Sequence, residues 1–72
     1  MSFLSLHIMS LRQRTGMNQE QFAKRLGVGT TTVKNLETGY LDCPPAKLLE
    51  DIARVFNTTV DGLLGRETLK TD

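Results

Sequence analysis

The 72-residue chain has no tryptophan, one tyrosine, one histidine, one cysteine and two prolines. One cysteine excludes an internal disulfide framework and points to a reducing compartment, the cytoplasm. Cys43 stands just before a predicted helix start, but a lone loop cysteine is usually inert. His7 has no histidine, cysteine or carboxylate at ligand spacing, so it reads as a surface side chain and no metal is expected. No apolar run approaches the ~18 residues that a membrane span requires. The opening MSFLSLHIMSLRQR lacks the basic-then-apolar order of a secretory signal. There is no phosphate-cradling glycine loop, no paired-carboxylate constellation and no nucleophile–base arrangement, so neither an enzyme nor a cofactor or small-molecule ligand is expected. Charge of one sign is also scarce: nine Lys and Arg against eight Asp and Glu leave a net charge of +1.

What is present is ordinary for one small soluble domain, with 39% hydrophobic and 24% charged residues. The expected division is a domain over residues 1–65 and a short polar tail over 66–72. A core this small contributes only about 3–5 kcal/mol unless association or close helix packing adds to it. Leu4, Ile8 and Leu11 recur at helical spacing and predict a first helix from about Ser2–Leu4 to Thr15, stopped at Gly16. Met17 enters the next unit. Farther on, Pro45 suits the first turn of a fourth helix, where its missing N–H costs nothing. Leu48, Leu49, Ile52, Ala53 and Phe56 form its inward stripe, and Asn57, tolerant of the left-handed conformation, ends it. Thr59 caps a short fifth helix through Leu64, with Val60, Leu63 and Leu64 closing the core and Gly65 ending it. No stretch reads as a convincing strand; Thr30–Val33 is β-branched throughout, but the surrounding caps and glycines outweigh that propensity.

The chain is organised around Gln19–Thr38, QEQFAKRLGVGTTTVKNLET. Asn18 is a good N-cap; Phe22, Ala23 and Leu26 form a helical stripe; Gly27 stops that helix. Val28 is a lone apolar residue in the turn. A second helix begins at Gly29–Thr30, turns Val33 and Leu36 inward and closes at Gly39. Two short helices joined through a glycine turn are the sequence form of a helix-turn-helix, and small Ala23 lets the second cross close to the first.

This stretch resembles the helix-turn-helix of the phage repressor and Cro family, the XRE type. Gln19, Phe22, Ala23, Leu26, Gly27, Val28, Val33 and Leu36 fill all eight signature positions of that pattern. The likeness continues through LETG (Leu36–Gly39) and NTTVDGLLG (Asn57–Gly65), covering nearly the whole chain. It implies an all-α, five-helix lambda-repressor-like DNA-binding domain whose second and third helices form the helix-turn-helix. Its second helix would lie in the major groove of double-stranded operator DNA, with its N-terminal residues at the base edges. By resemblance, base contacts fall on Thr30, Thr31 and Asn35, and phosphate contacts on Asn18, Gln19, Lys34, Arg14 and Tyr40. In the family the glutamine often braces the first residue of the recognition helix. Arg12 and Glu37 occupy positions of an Arg–Glu pair that joins the first helix to the end of the third. Threonine offers one hydrogen bond and a methyl to thymine, and asparagine pairs with adenine in a bidentate way. The bland alternative is that the same polar residues simply form the solvated face of an amphipathic helix, and the rest of the unit favours DNA contact over it.

One departure has consequences. Relatives carry bases in the loop after the recognition helix, where Tyr40-Leu41-Asp42-Cys43 has none and one acid. Phosphate neutralisation supplies most non-specific affinity. With Arg14, Lys34, Lys24, Arg25 and Lys47 as the available cations, a monomer should bind weakly, and a homodimer paired through Val60–Leu69 is expected. The alternative is a protein-interaction module, such as an antitoxin or anti-repressor subunit, which the low net charge favours and the intact recognition face disfavours.

Overall fold

The computed structural model describes residues 3–65, which form five helices and no strand. They are α1 (Phe3–Arg14), α2 (Gln19–Leu26), α3 (Thr30–Thr38), α4 (Ala46–Val55) and α5 (Val60–Leu64). The expected tail over 66–72 and residue Ser2 lie outside the described residues.

Local chemistry decides most boundaries. α2 opens with a reciprocal capping box: Asn18 Oδ1 accepts from the Gln21 N–H at 2.8 Å, and Gln21 Oε1 accepts from the Asn18 N–H at 3.0 Å. It closes at Gly27, whose φ of 76° is left-handed, and the Val28 N–H then reaches back to the Ala23 carbonyl at 3.0 Å. α1 and α4 end in the same closure, with Met17 donating to Arg12 and Thr58 to Ala53. At the end of α4 the left-handed residue is Asn57, φ 53°, the only non-glycine with positive φ among the described residues. Thr59 caps α5 by accepting from the Gly62 N–H at 2.9 Å.

One expected boundary is corrected. Pro45 stands not in the first turn of α4 but at its N-cap, with ψ of 146°, and the helix begins at Ala46. Its carbonyl opens the ladder by accepting from the Leu48 and Leu49 N–H groups. With that ψ Pro45 is itself extended, so the chain runs one residue further than expected before it turns into the helix.

The core consists of Leu4, Ile8, Leu11, Phe22, Ala23, Leu26, Val33, Leu36, Leu49, Ile52 and Leu63. Leu48, Ala53, Phe56, Val60 and Leu64 are only partly buried and pack around it. α3 lies against both α1 and α2, while α5 bridges α1 and α4. Phe56 extends the core by stacking on fully buried Phe22, with ring centroids 4.5 Å apart. Two polar residues, Ser5 and Glu37, are buried with this apolar set. At the far end, a Cβ on Gly65 would meet the Phe3 ring at 2.7 Å, so the absence of a side chain there seats Phe3.

Candidate nucleic-acid interface

α3 presents one apolar and one polar side. Val33 and Leu36 are fully buried, whereas Thr31 and Lys34 are exposed and Thr30, Thr32 and Asn35 half-buried. Among the described residues no hydrogen bond occupies the side chains of Thr30, Thr31, Lys34 or Asn35. The backbone carbonyl of Asn35, by contrast, accepts from the Leu41 N–H at 2.9 Å, which folds the loop back onto the helix end. Gly29 provides no side-chain cap, so the first N–H groups of α3 are also open.

The other face of α3 is clamped through Glu37. Arg12 Nε donates to Glu37 Oε2 at 2.7 Å and Arg12 Nη2 to Oε1 at 3.2 Å, a two-pronged contact between α1 and the last turn of α3. Arg12 Nη1 also donates to the Met17 carbonyl at 3.2 Å, while the Arg12 carbonyl accepts from the Met17 N–H. The turn after α1 thus brings its own carbonyl to the guanidinium. Glu37 is only 4% exposed, and Gln19 Nε2 donates to its Oε1 at 3.1 Å. Arg12 and Gln19 together give the buried carboxylate three donors, and no buried side-chain polar atom among the described residues is left without a partner.

The Gln19 amide therefore turns to Glu37, in the last turn of the recognition helix, and not to its first residue. The reason is geometric: Gln19 opens α2, and the crossing of α2 with α3 brings Glu37 within its reach. The backbone N–H groups of Gln19 and Glu20, in the first turn of α2, have no intrahelical acceptor and remain free for an anion. Asn18 is exposed and caps its own helix.

The remaining candidates are scattered. Arg14 is exposed near the end of α1, and Tyr40 is 85% exposed in the loop that follows α3. Lys24 and Arg25 are exposed in the last turn of α2. Lys47 lies instead on α4, 3.6 Å from Asp51, which also pairs with Arg54 at 3.1 Å. The Arg54 hydrogen bond, helped by Lys47, holds the Asp51 carboxyl below its ordinary pKa. His7 is half-buried against Phe3, with ring centroids 5.8 Å apart. It lines a shallow groove of about 490 Å³ with Phe3, Leu6, Ser10, Arg14 and Thr58. Cys43 is an exposed free thiol. Among the described residues no cluster of His, Cys, Asp and Glu has metal-site geometry, and no helix is long and apolar enough to cross a membrane.

Sequence reasoning missed Ser5, Gln21 and the partner of Gln19. The Asn-x-x-Gln spacing of Asn18 and Gln21 was a readable signal for the capping box. For Ser5 the readable signal was its place three residues before Ile8, beside the inward stripe of α1.

The helix-turn-helix family model matches residues 8–63. Two uncharacterized HTH-type transcriptional regulators of Archaeoglobus fulgidus are each 41% identical over 56 residues, 78% of this chain and 79% and 78% of their own. The HTH-type transcriptional regulator ImmR of Bacillus subtilis is 30% identical over 64 residues, 89% of this chain and 50% of its own. No solved structure matches the chain significantly. With five helices in this order, a glycine turn between α2 and α3 and a match across most of its length, the chain belongs to the helix-turn-helix family, of the phage repressor and Cro, or XRE, type.

Proposed function

We propose that the chain is a cytoplasmic, non-enzymatic transcriptional regulator that docks Thr30–Thr38 in the major groove of an operator as a homodimer. The observation that carries this reading is the division of α3. Glu37 is held by three donors from α1 and α2, while Thr30, Thr31, Lys34 and Asn35 keep their side chains unengaged. A rigidly held helix with a free polar side is what base reading requires. Thr30, Thr31 and Asn35 then meet base edges. Phosphates fall to Lys34, Arg14, Tyr40, Asn18 and the free N–H of Gln19, with the helix dipole of α2 favouring the anion.

Dimerisation follows from charge. A net charge of +1 and few free cations per subunit leave one copy short of the ~10⁻⁸–10⁻¹¹ M typical of specific regulators. Two copies on one duplex combine their contacts, with recognition helices about 34–36 Å apart, one turn of DNA. The proposed pairing surface is Val60–Leu69, of which Val60 and Leu64 are half-buried and the part from Arg66 lies outside the described residues. Phe3, 56% exposed and seated on Gly65, adds uncovered apolar surface at that end. Selecting bound sequences from a random library and then measuring stoichiometry on the winner tests the reading. The expected result is an inverted repeat carrying two subunits. A selected site without two-fold symmetry, or one subunit per site, would rule the dimer out, and no selected sequence at all would rule out the operator.

A further inference from the structure

We propose that Gln19 is a positioning residue for sequence reading, acting through Glu37 rather than through its own side-chain contact with DNA. The inference rests on the reading of α3 as the recognition helix. The Gln19 amide is already committed, donating to Glu37 Oε1 at 3.1 Å, and Glu37 is 4% exposed. Arg12 occupies Oε2 at 2.7 Å and shares Oε1 at 3.2 Å, so without Gln19 the carboxylate would be held from the α1 side alone. Gln19 adds the second anchor from α2. That fixes the angle between the two helices of the motif, since it joins the first residue of α2 to the last turn of α3.

Its backbone adds a second link. The Gln19 N–H lies in the open first turn of α2, where a phosphate would be held, and the side chain of the same residue holds the recognition helix. A phosphate seated there therefore sets the position of α3 through one residue. Loss of the amide should loosen the register of α3 on the bases while leaving the backbone contacts in place. The consequence is a loss of discrimination rather than of general DNA affinity.

The test compares wild type, Gln19→Met, Glu37→Gln and the double variant on the selected operator and on an unrelated duplex at one salt concentration. Gln19→Met keeps the length and packing of the side chain and removes only the amide. The ratio of operator to unrelated affinity should fall about tenfold, the order expected for a hydrogen bond to a charged group. In the Glu37→Gln background, where the acceptor is neutral and such bonds are roughly half as strong, the same change should cost only about threefold. Equal losses on both duplexes would overturn the proposal and assign the side chain to phosphate. Additive effects of the two substitutions would also overturn it. A DNA-free arm separates this inference from the operator reading. Amide exchange in the last turn of α3 should quicken about tenfold in Gln19→Met, at least as much as in any other helix, and unchanged exchange there would sink the positioning role even if wild type selected no operator.

Discussion

Arg12→Met is the most informative single perturbation of the fold. It removes a guanidinium that makes two contacts to Glu37, at 2.7 and 3.2 Å, and one to the Met17 carbonyl at 3.2 Å. Breaking a buried pair from one side typically costs about 3–5 kcal/mol, because an uncompensated charge is left behind. Two features reduce that figure here. The Arg12 side chain is 19% exposed, so water partly replaces it, and Gln19 still donates to Oε1. The expected loss is about 2–3 kcal/mol, well above the ~0–1 kcal/mol of an exposed pair. Set against a small core worth roughly 3–5 kcal/mol, the urea midpoint should fall by about half or more at constant slope. Urea unfolding followed by helical circular dichroism on wild type, Arg12→Met, Glu37→Gln and the double variant gives both the loss and the coupling energy. Arg12→Met should cost much less in the Glu37→Gln background, where no carboxylate is stranded. A loss below about 1 kcal/mol, or additivity within about 0.3–0.5 kcal/mol, would refute the clamp as a determinant of stability.

Three further outcomes are expected. Asn35→Ala should relax sequence preference at one operator position, whereas Lys34→Ala should weaken binding on every sequence and lower the salt slope by about one; indistinguishable binding profiles would dismiss that division of labour. Gly65→Ala places a β-carbon 2.7 Å from the Phe3 ring at a residue with φ of +71°, and should cost about 1–2 kcal/mol in thermal or urea unfolding. Phe3→Ala should recover only the steric part, leaving the backbone strain, so full recovery would contradict the account. Asp51, its carboxyl depressed chiefly by the Arg54 hydrogen bond, contributes stability that is present above its ordinary pKa of 3.8 and is lost as pH falls through the lower folded value. In Asp51→Asn that part of the acid limb should be missing from the stability–pH curve, and an unaltered curve would show that the exposed pair contributes nothing.

Much of this fold is written locally. Asn18 can cap only the helix that follows it, and glycine or asparagine at positions 16, 27, 57 and 65 closes helices through bonds that span a few residues. The apolar spacing of Leu4, Ile8 and Leu11, or of Phe22, Ala23 and Leu26, fixes which side of each helix turns inward. The helix-turn-helix and the polar side of α3 were legible for the same reason, as both follow from spacing and caps. Tertiary structure decided what depends on how helices cross. The sequence alone offered Arg12 and Glu37 as opposite charges 25 residues apart, with only the family resemblance to join them. It contained no sign that Gln19, 18 residues from Glu37, would serve that carboxylate instead of the head of α3. Ser5 lies three residues before Ile8, beside the inward stripe of α1, but only the assembled helices show a polar residue fully buried there. Hydrogen bonds within a turn are set by a few dihedral angles along the chain. A contact between side chains on three helices exists only once the core has fixed their angles, and on this chain that contact holds the recognition helix.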